Sequence, residues 1–169
     1  MRRLLDFLYD ACAWLAALAM IGVLGMVLTS VVSRQVGFNV PGTDAYAGYF
    51  MAAAGFLALA HTLKKNEHIR VTLILARLKG GARHGLELWA LAAAIVLAAL
   101  FAYYAVRLAW MSYEMNDIST GNDATPLWIP QIAMALGAVV FCIAFVDECV
   151  QEWRGTRSHA GSEEALHNE

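Results

Sequence analysis

Charge is what this sequence has least of. Only 15% of its 169 residues are Asp, Glu, Lys or Arg, while 60% are hydrophobic and the mean hydropathy is +0.54. Soluble domains carry about a quarter charged residues and about half apolar ones. One aqueous core of this size could not hide so much apolar surface, so the bilayer is the natural solvent for the chain. A net charge of −2 offers nucleic acid no basic face. Cysteine is also scarce, and Cys12, Cys142 and Cys149 sit in or beside apolar runs without C-x-x-C spacing. That excludes a disulfide framework and a zinc site, and leaves them as small buried hydrophobes. The three prolines, Pro41, Pro126 and Pro130, lie in or next to two polar connections. The pair of Gly/Pro-interrupted spans that marks a substrate site in secondary transporters is therefore missing. Ionisable residues are missing from the middles of the apolar runs too, where proton relays and ion pathways need them. Arg107 comes nearest, toward the end of the third run, where its stem can snorkel to the interface. These gaps speak against a chain that transports on its own.

What the sequence does have is four apolar runs, at residues 11–33, 45–63, 88–106 and 127–146. Each holds roughly 19–23 residues, enough for a helix to cross a ~30 Å hydrocarbon core. No water reaches that depth to satisfy the backbone, so each run is expected to be a continuous helix. The first run reads as a retained span. Arg2 and Arg3 suit a signal peptide, but Asp6 and Asp10 do not, and no small-residue cleavage site precedes Arg34. Positive charges alternate between connections. The N-terminus carries Arg2 and Arg3, the second connection Lys64, Lys65, Arg70, Arg77, Lys79 and Arg83, and the C-terminal segment Arg154 and Arg157. The first connection has only Arg34, and the third has no Lys or Arg beside Glu114, Asp117 and Asp123. The positive-inside rule then puts both termini in the cytoplasm of a multi-pass inner-membrane protein. The expected organisation is one transmembrane domain over residues 1–153 and a polar tail over 154–169.

The expected fold class is an all-α integral membrane protein with four transmembrane helices and a short interfacial helix in the second connection. That short helix rests on Ile69–Leu78, where Arg70 and Arg77 share a face and Gly80-Gly81 ends the pattern. Its lysines and arginines would hold topology and touch anionic lipid, or form a docking surface for a partner chain. Aromatic rings fall at the expected interfaces: Tyr9, Trp14, Trp89 and Trp153 inside, Tyr46, Tyr49, Trp110, Tyr113 and Trp128 outside. They read as headgroup-level belts, with Trp14, Trp89, Trp110 and Trp128 as anchors. Small residues four apart, at Ala13/Ala17, Gly48/Ala52, Ala94/Ala98/Ala102 and Ala133/Gly137, suggest close helix packing in a compact bundle. Pro41-Gly42-Thr43-Asp44 reads as a turn followed by a helix cap.

Histidine raises a different class of function. His61 and His84 fall at the cytoplasmic edges of two helices, with His68 between them and His159 in the tail. Two helix-borne imidazoles can ligate haem, which keeps open a haem-binding or plain membrane anchor of a respiratory enzyme. The two histidines sit at span ends, however, and haem needs a pocket at matching depths. The expected cofactor set is none, with no catalytic, cofactor or metal residues.

The stretch RQVGFNVPGTDAYAGYFMAAAGFLALAHTLKKNEHIRVTLI, Arg34–Ile74, resembles the DctQ-like small membrane subunit of tripartite ATP-independent periplasmic (TRAP) transporters. The features are an Arg closing the first helix, an aromatic-containing loop, an acid opening the second helix, and then His-Ile-Arg-Val. The fourth-run entry TPLWIPQ also resembles that family. Many relatives open the second helix with Trp and Glu, where this chain has Gly42-Thr43-Asp44-Ala45-Tyr46. The resemblance implies a non-catalytic subunit that scaffolds a large multi-span membrane subunit. Its other partners would be a periplasmic substrate-binding protein that delivers an organic acid, and membrane lipids. Within that reading Arg34 and Asp44 frame the outer face, while His68 and Arg70 shape the cytoplasmic connection.

Overall fold

The computed structural model describes residues 2–38, 40–65, 81–121 and 123–153. Four helices account for most of them: α1 (Arg2–Val36), α2 (Thr43–Lys64), α3 (Gly81–Glu114) and α4 (Trp128–Trp153). All four are long and apolar enough to cross a membrane. The expected spans lie inside them except for Leu127, one residue ahead of α4, but α1 and α3 run much further. Their 35 and 34 residues give lengths of about 50 Å, some 20 Å beyond a hydrocarbon core. The extra turns carry residues such as Asp6, Asp10, Glu87 and Glu114, which an apolar count leaves out and a helix accepts without strain. The expected interfacial helix, with His68 and Arg70, lies outside the described residues, as does the tail.

Each turn has a local cause. Gly37 ends α1 at φ 76°, and Phe38 N–H donates to Ser33 O at 2.9 Å while Gly37 N–H reaches Arg34 O at 3.4 Å. This double bond pattern is the Schellman ending, and it needs a left-handed residue that glycine supplies cheaply. Asp44 does not cap α2. Gly42 holds the capping position at φ 83° with no side-chain cap hydrogen bond, and Asp44 stands in the first turn. A Cβ at Gly42 would lie 2.9 Å from Asp123 Cβ, so the turn has room only for glycine. Pro130 falls in the first turn of α4, where its missing N–H costs little.

Three interfaces hold the helices together: α1 on α2, α2 on α4, and α4 on α3. No comparable packing joins α1 to α3, so among the described residues the four helices of the expected bundle pack as an open row. One end of the row gathers the start of α1 with the finishes of α2 and α4, around Lys64. The other gathers the first and third connections, around Asp123.

The buried stripes are mostly alanine. Tyr9, Cys12, Ala16, Leu57, Ala60, Leu63, Val140 and Ala144 form one core, and Ala102, Ala105, Ala135 and Ala138 the other. Leucine, valine and tryptophan face outward from α1 and α3. This inversion is what lipid permits: bulky side chains lose nothing outside, and small ones let backbones approach. The closest approach is at Gly137, where a Cβ would sit 2.5 Å from the Phe56 carbonyl oxygen on α2. Of the expected small pairs, Ala98, Ala102 and Gly137 lie in the packed seams. Gly48 and Ala52 are exposed, and α1 buries Cys12, Ala16 and Ala19 instead of Ala13 and Ala17. Alanine is so frequent in these helices that small-residue spacing fits several faces equally well.

Candidate functional site

Polar chemistry collects at the two ends of the row. At the Asp123 end, the Ser119 hydroxyl donates to Asp123 Oδ1 at 2.8 Å, and Tyr49 Oη on α2 donates to Oδ2 at 3.0 Å. Thr125 Oγ1 lies 2.9 Å from Tyr46 Oη, one turn earlier on α2. Gly121 N–H donates to Ser119 Oγ at 3.2 Å. The third connection itself doubles back through a bridge between Ile118 and Pro126, with Ser119 N–H on Thr125 O at 2.9 Å and Leu127 N–H on Asp117 O at 3.0 Å. Asn116 and Ala124 take left-handed conformations, φ 51° and 47°, to make the bends. The result is a clasp that ties the third connection to the start of α2. The Ser119 hydroxyl, with those of Thr125 and Tyr49, holds the Asp123 carboxyl down at about 2. Hydrogen bonds to the charged form lower a carboxyl in this way.

Beside the clasp, Arg34 Nη2 lies 3.7 Å from Asp44 Oδ2, and both side chains are largely exposed. Ser30 Oγ donates to Asp44 Oδ1 at 3.4 Å, and Ser33 Oγ to Ser30 O at 3.0 Å. A pair so long and so wet contributes little to stability, which leaves both charges free to meet another molecule.

At the Lys64 end, Lys64 Nζ pairs with Asp6 Oδ1 and stands 5.5 Å from the centre of the Tyr9 ring. His61 Nδ1 faces Asp10 Oδ1 at 3.7 Å. On α4, Glu148 and Glu152 are buried and Asp147 lies beside them. Tyr9, expected in an aromatic belt, is instead 1% exposed in the seam between helices. Spacing carries the signal for it: Tyr9, Cys12, Ala16 and Ala19 recur at three and four residues, one helical stripe. Glu148 and Glu152 continue a stripe from Val140 and Ala144 in steps of four. They stand just past the expected end of the fourth span, so hydropathy alone passes over them.

The tryptophans divide. Trp14, Trp89 and Trp110 are well exposed, whereas Trp128 is half-buried with its ring edge-on to Tyr113, centroids 5.7 Å apart. Trp110 Nε1 donates to Glu114 Oε1 at 2.8 Å. Tyr46 and Tyr49, expected as belt residues, spend their hydroxyls on the clasp. The His84 side chain and His68 lie outside what is described, and His61 faces a carboxylate.

Four helices long and apolar enough to cross a membrane, with polar clusters at both ends, make a multi-pass membrane protein. A comparison with curated proteins finds no match. Among protein families, residues 23–155 match the one described as Tripartite ATP-independent periplasmic transporters, DctQ component. That match covers α2, α3 and α4, the later part of α1 and the Asp123 end of the row, and the chain belongs to the DctQ family, the small permease component of TRAP transporters.

Proposed function

We propose that the chain is a non-catalytic scaffold, which supports a large multi-span membrane subunit during uptake of an organic acid. The observation that carries this reading is the open row. Among the described residues α1 packs mainly on α2 and α3 mainly on α4, which leaves two long faces to offer another membrane protein. The uncharged span interior supports the same division of labour, since the ion-coupled path then belongs to the partner. Positive charges on the N-terminal segment, second connection and tail support cytoplasmic termini. On that orientation the Asp123 end is periplasmic, where Arg34, Asp44 and the clasp form the surface that helps receive a substrate-loaded binding protein. Trp14, Trp89, Trp110 and Trp128 then mark the two lipid interfaces, and His68 and Arg70 the cytoplasmic connection. Residues 1–153 act as one domain with 154–169 as a cytoplasmic tail.

Co-purification with a tagged large subunit in mild detergent tests the reading. Recovery of the two chains together, and loss of uptake when this chain is deleted, is the expected result. A chain that stays alone, with uptake intact in its absence, would overturn it.

A further inference from the structure

The Lys64 end holds a feature that scaffolding does not use. Tyr9 is the largest fully buried side chain among the described residues, and its hydroxyl has no protein hydrogen-bond partner among them. Beside it lies a cavity of about 10 Å³, walled by Tyr9, Lys64, Ala144, Asp147 and Glu148. Three helices contribute those walls: α1, α2 and α4. Four of the five residues carry polar heads, and Ala144 alone is apolar.

We infer that this cavity binds one water molecule, which joins the Tyr9 hydroxyl to the polar heads of Lys64, Asp147 and Glu148. The argument is one of size, chemistry and charge. A water needs roughly 10–15 Å³ and two to four polar partners, and the cavity meets both conditions. An apolar guest is excluded by the walls, and a larger polar one by the volume. A bound cation meets a rival already in place, because the Lys64 ammonium sits in the wall and is paired with Asp6. No group of three or more His, Cys, Asp or Glu among the described residues is set to hold a metal ion. Lys64 has three N–H donors, of which Asp6 takes one, so donors remain for a water oxygen. The water accepts the Tyr9 O–H as well, and gives its two hydrogens to the Asp147 and Glu148 carboxylates. In this arrangement it bridges the first turns of α1 to the finishes of α2 and α4.

Tyr9→Phe in the full chain, reconstituted in nanodiscs and melted, decides by sign. With the water in place, removing the hydroxyl strips it of a partner, and the melting temperature falls by about 2–6 °C. With a dry cavity, the variant removes an orphan hydroxyl, so an unchanged or higher melting temperature overturns the inference. Should the variant fail to fold, a density map of the wild-type protein serves instead. A peak within about 3.2 Å of Tyr9 Oη and of one other polar wall atom is expected, and an empty cavity overturns the proposal. Melting in sodium, potassium and choline chloride at equal ionic strength separates water from a cation. Equal melting temperatures are expected for water, and a selective rise with one alkali cation overturns it.

Discussion

Replacing Gly137 by alanine adds one methyl group at the tightest point between α2 and α4. The new Cβ would meet the Phe56 carbonyl oxygen at 2.5 Å, its carbonyl carbon at 2.6 Å and its Cβ at 2.9 Å. Ordinary contact begins at 3.4 Å, so the two backbones must part by nearly 1 Å. Backbone atoms of a helix cannot swing aside as the tip of a side chain can. A gap of 0.5–1 Å forfeits about a quarter to a half of each van der Waals contact across the seam. Overpacking of this kind costs about 1–3 kcal/mol, and alanine's helix propensity returns up to about 1 kcal/mol of it. With the full return the net loss is up to about 2 kcal/mol, or up to roughly 8 °C in melting temperature for a chain of this size. Gly48→Ala and Gly55→Ala are the controls. A Cβ at either position meets nothing within 4 Å, so both variants keep the propensity gain and melt at or above the wild type. Thermal unfolding of the three variants in one detergent measures the contrast. If Gly137→Ala melts with the controls, the close approach of α2 and α4 is not what holds the row together.

Other consequences follow from the two ends. The Asp123 carboxyl sits at about 2, below its unfolded value near 3.9, so its contribution to the clasp is present above about pH 4 and is lost as pH falls toward 2. The near-ultraviolet dichroism of the Tyr46–Tyr49 pair, edge-on at 6.0 Å, should change over that interval in the wild type and stay flat in Asp123→Asn. Lys64→Asp loosens the start of α1, and the added change Asp6→Lys should restore part of the loss. A double-mutant cycle is expected to give a coupling of about 0.2–1 kcal/mol, in keeping with a half-exposed pair, and strict additivity would show the contact to be idle. Asp44→Lys should lower substrate uptake by the assembled transporter while membrane insertion is unchanged; unaltered uptake would reduce Asp44 to a residue of the first helical turn.

That four helices are long and apolar enough to cross a membrane was legible in the sequence because hydropathy reports contact with lipid directly; the ends of α1 and α3 were not. Which face of each helix turns inward was not. In water the buried face is the apolar one, and periodicity finds it; here Leu18, Leu24 and Leu97 point out while Ala16, Ala60 and Ala138 point in. Both classes count as apolar, so the periodic signal almost vanishes. The residue that fixes the α2–α4 seam, Gly137, differs from exposed Gly48 only in what stands opposite it.

The ends of the helices follow another rule, and it is readable once the turn between α1 and α2 is placed. Arg34 meets Asp44 beside that turn, and Asp10 meets His61 and Asp6 meets Lys64 at the far end of the same helix pair. Antiparallel helices joined by a short connection bring the start of α1 beside the finish of α2, so two aspartates that argued against a signal peptide find their partners there. The clasp has no such rule. Tyr49 and Asp123 stand 74 residues apart, on elements whose adjacency depends on α2 packing against α4 and not α3. That adjacency rests on Gly137 against the Phe56 backbone. The polar surface at the Asp123 end is therefore built on a contact in the middle of the membrane, and a substitution at Gly137 is expected to disturb both.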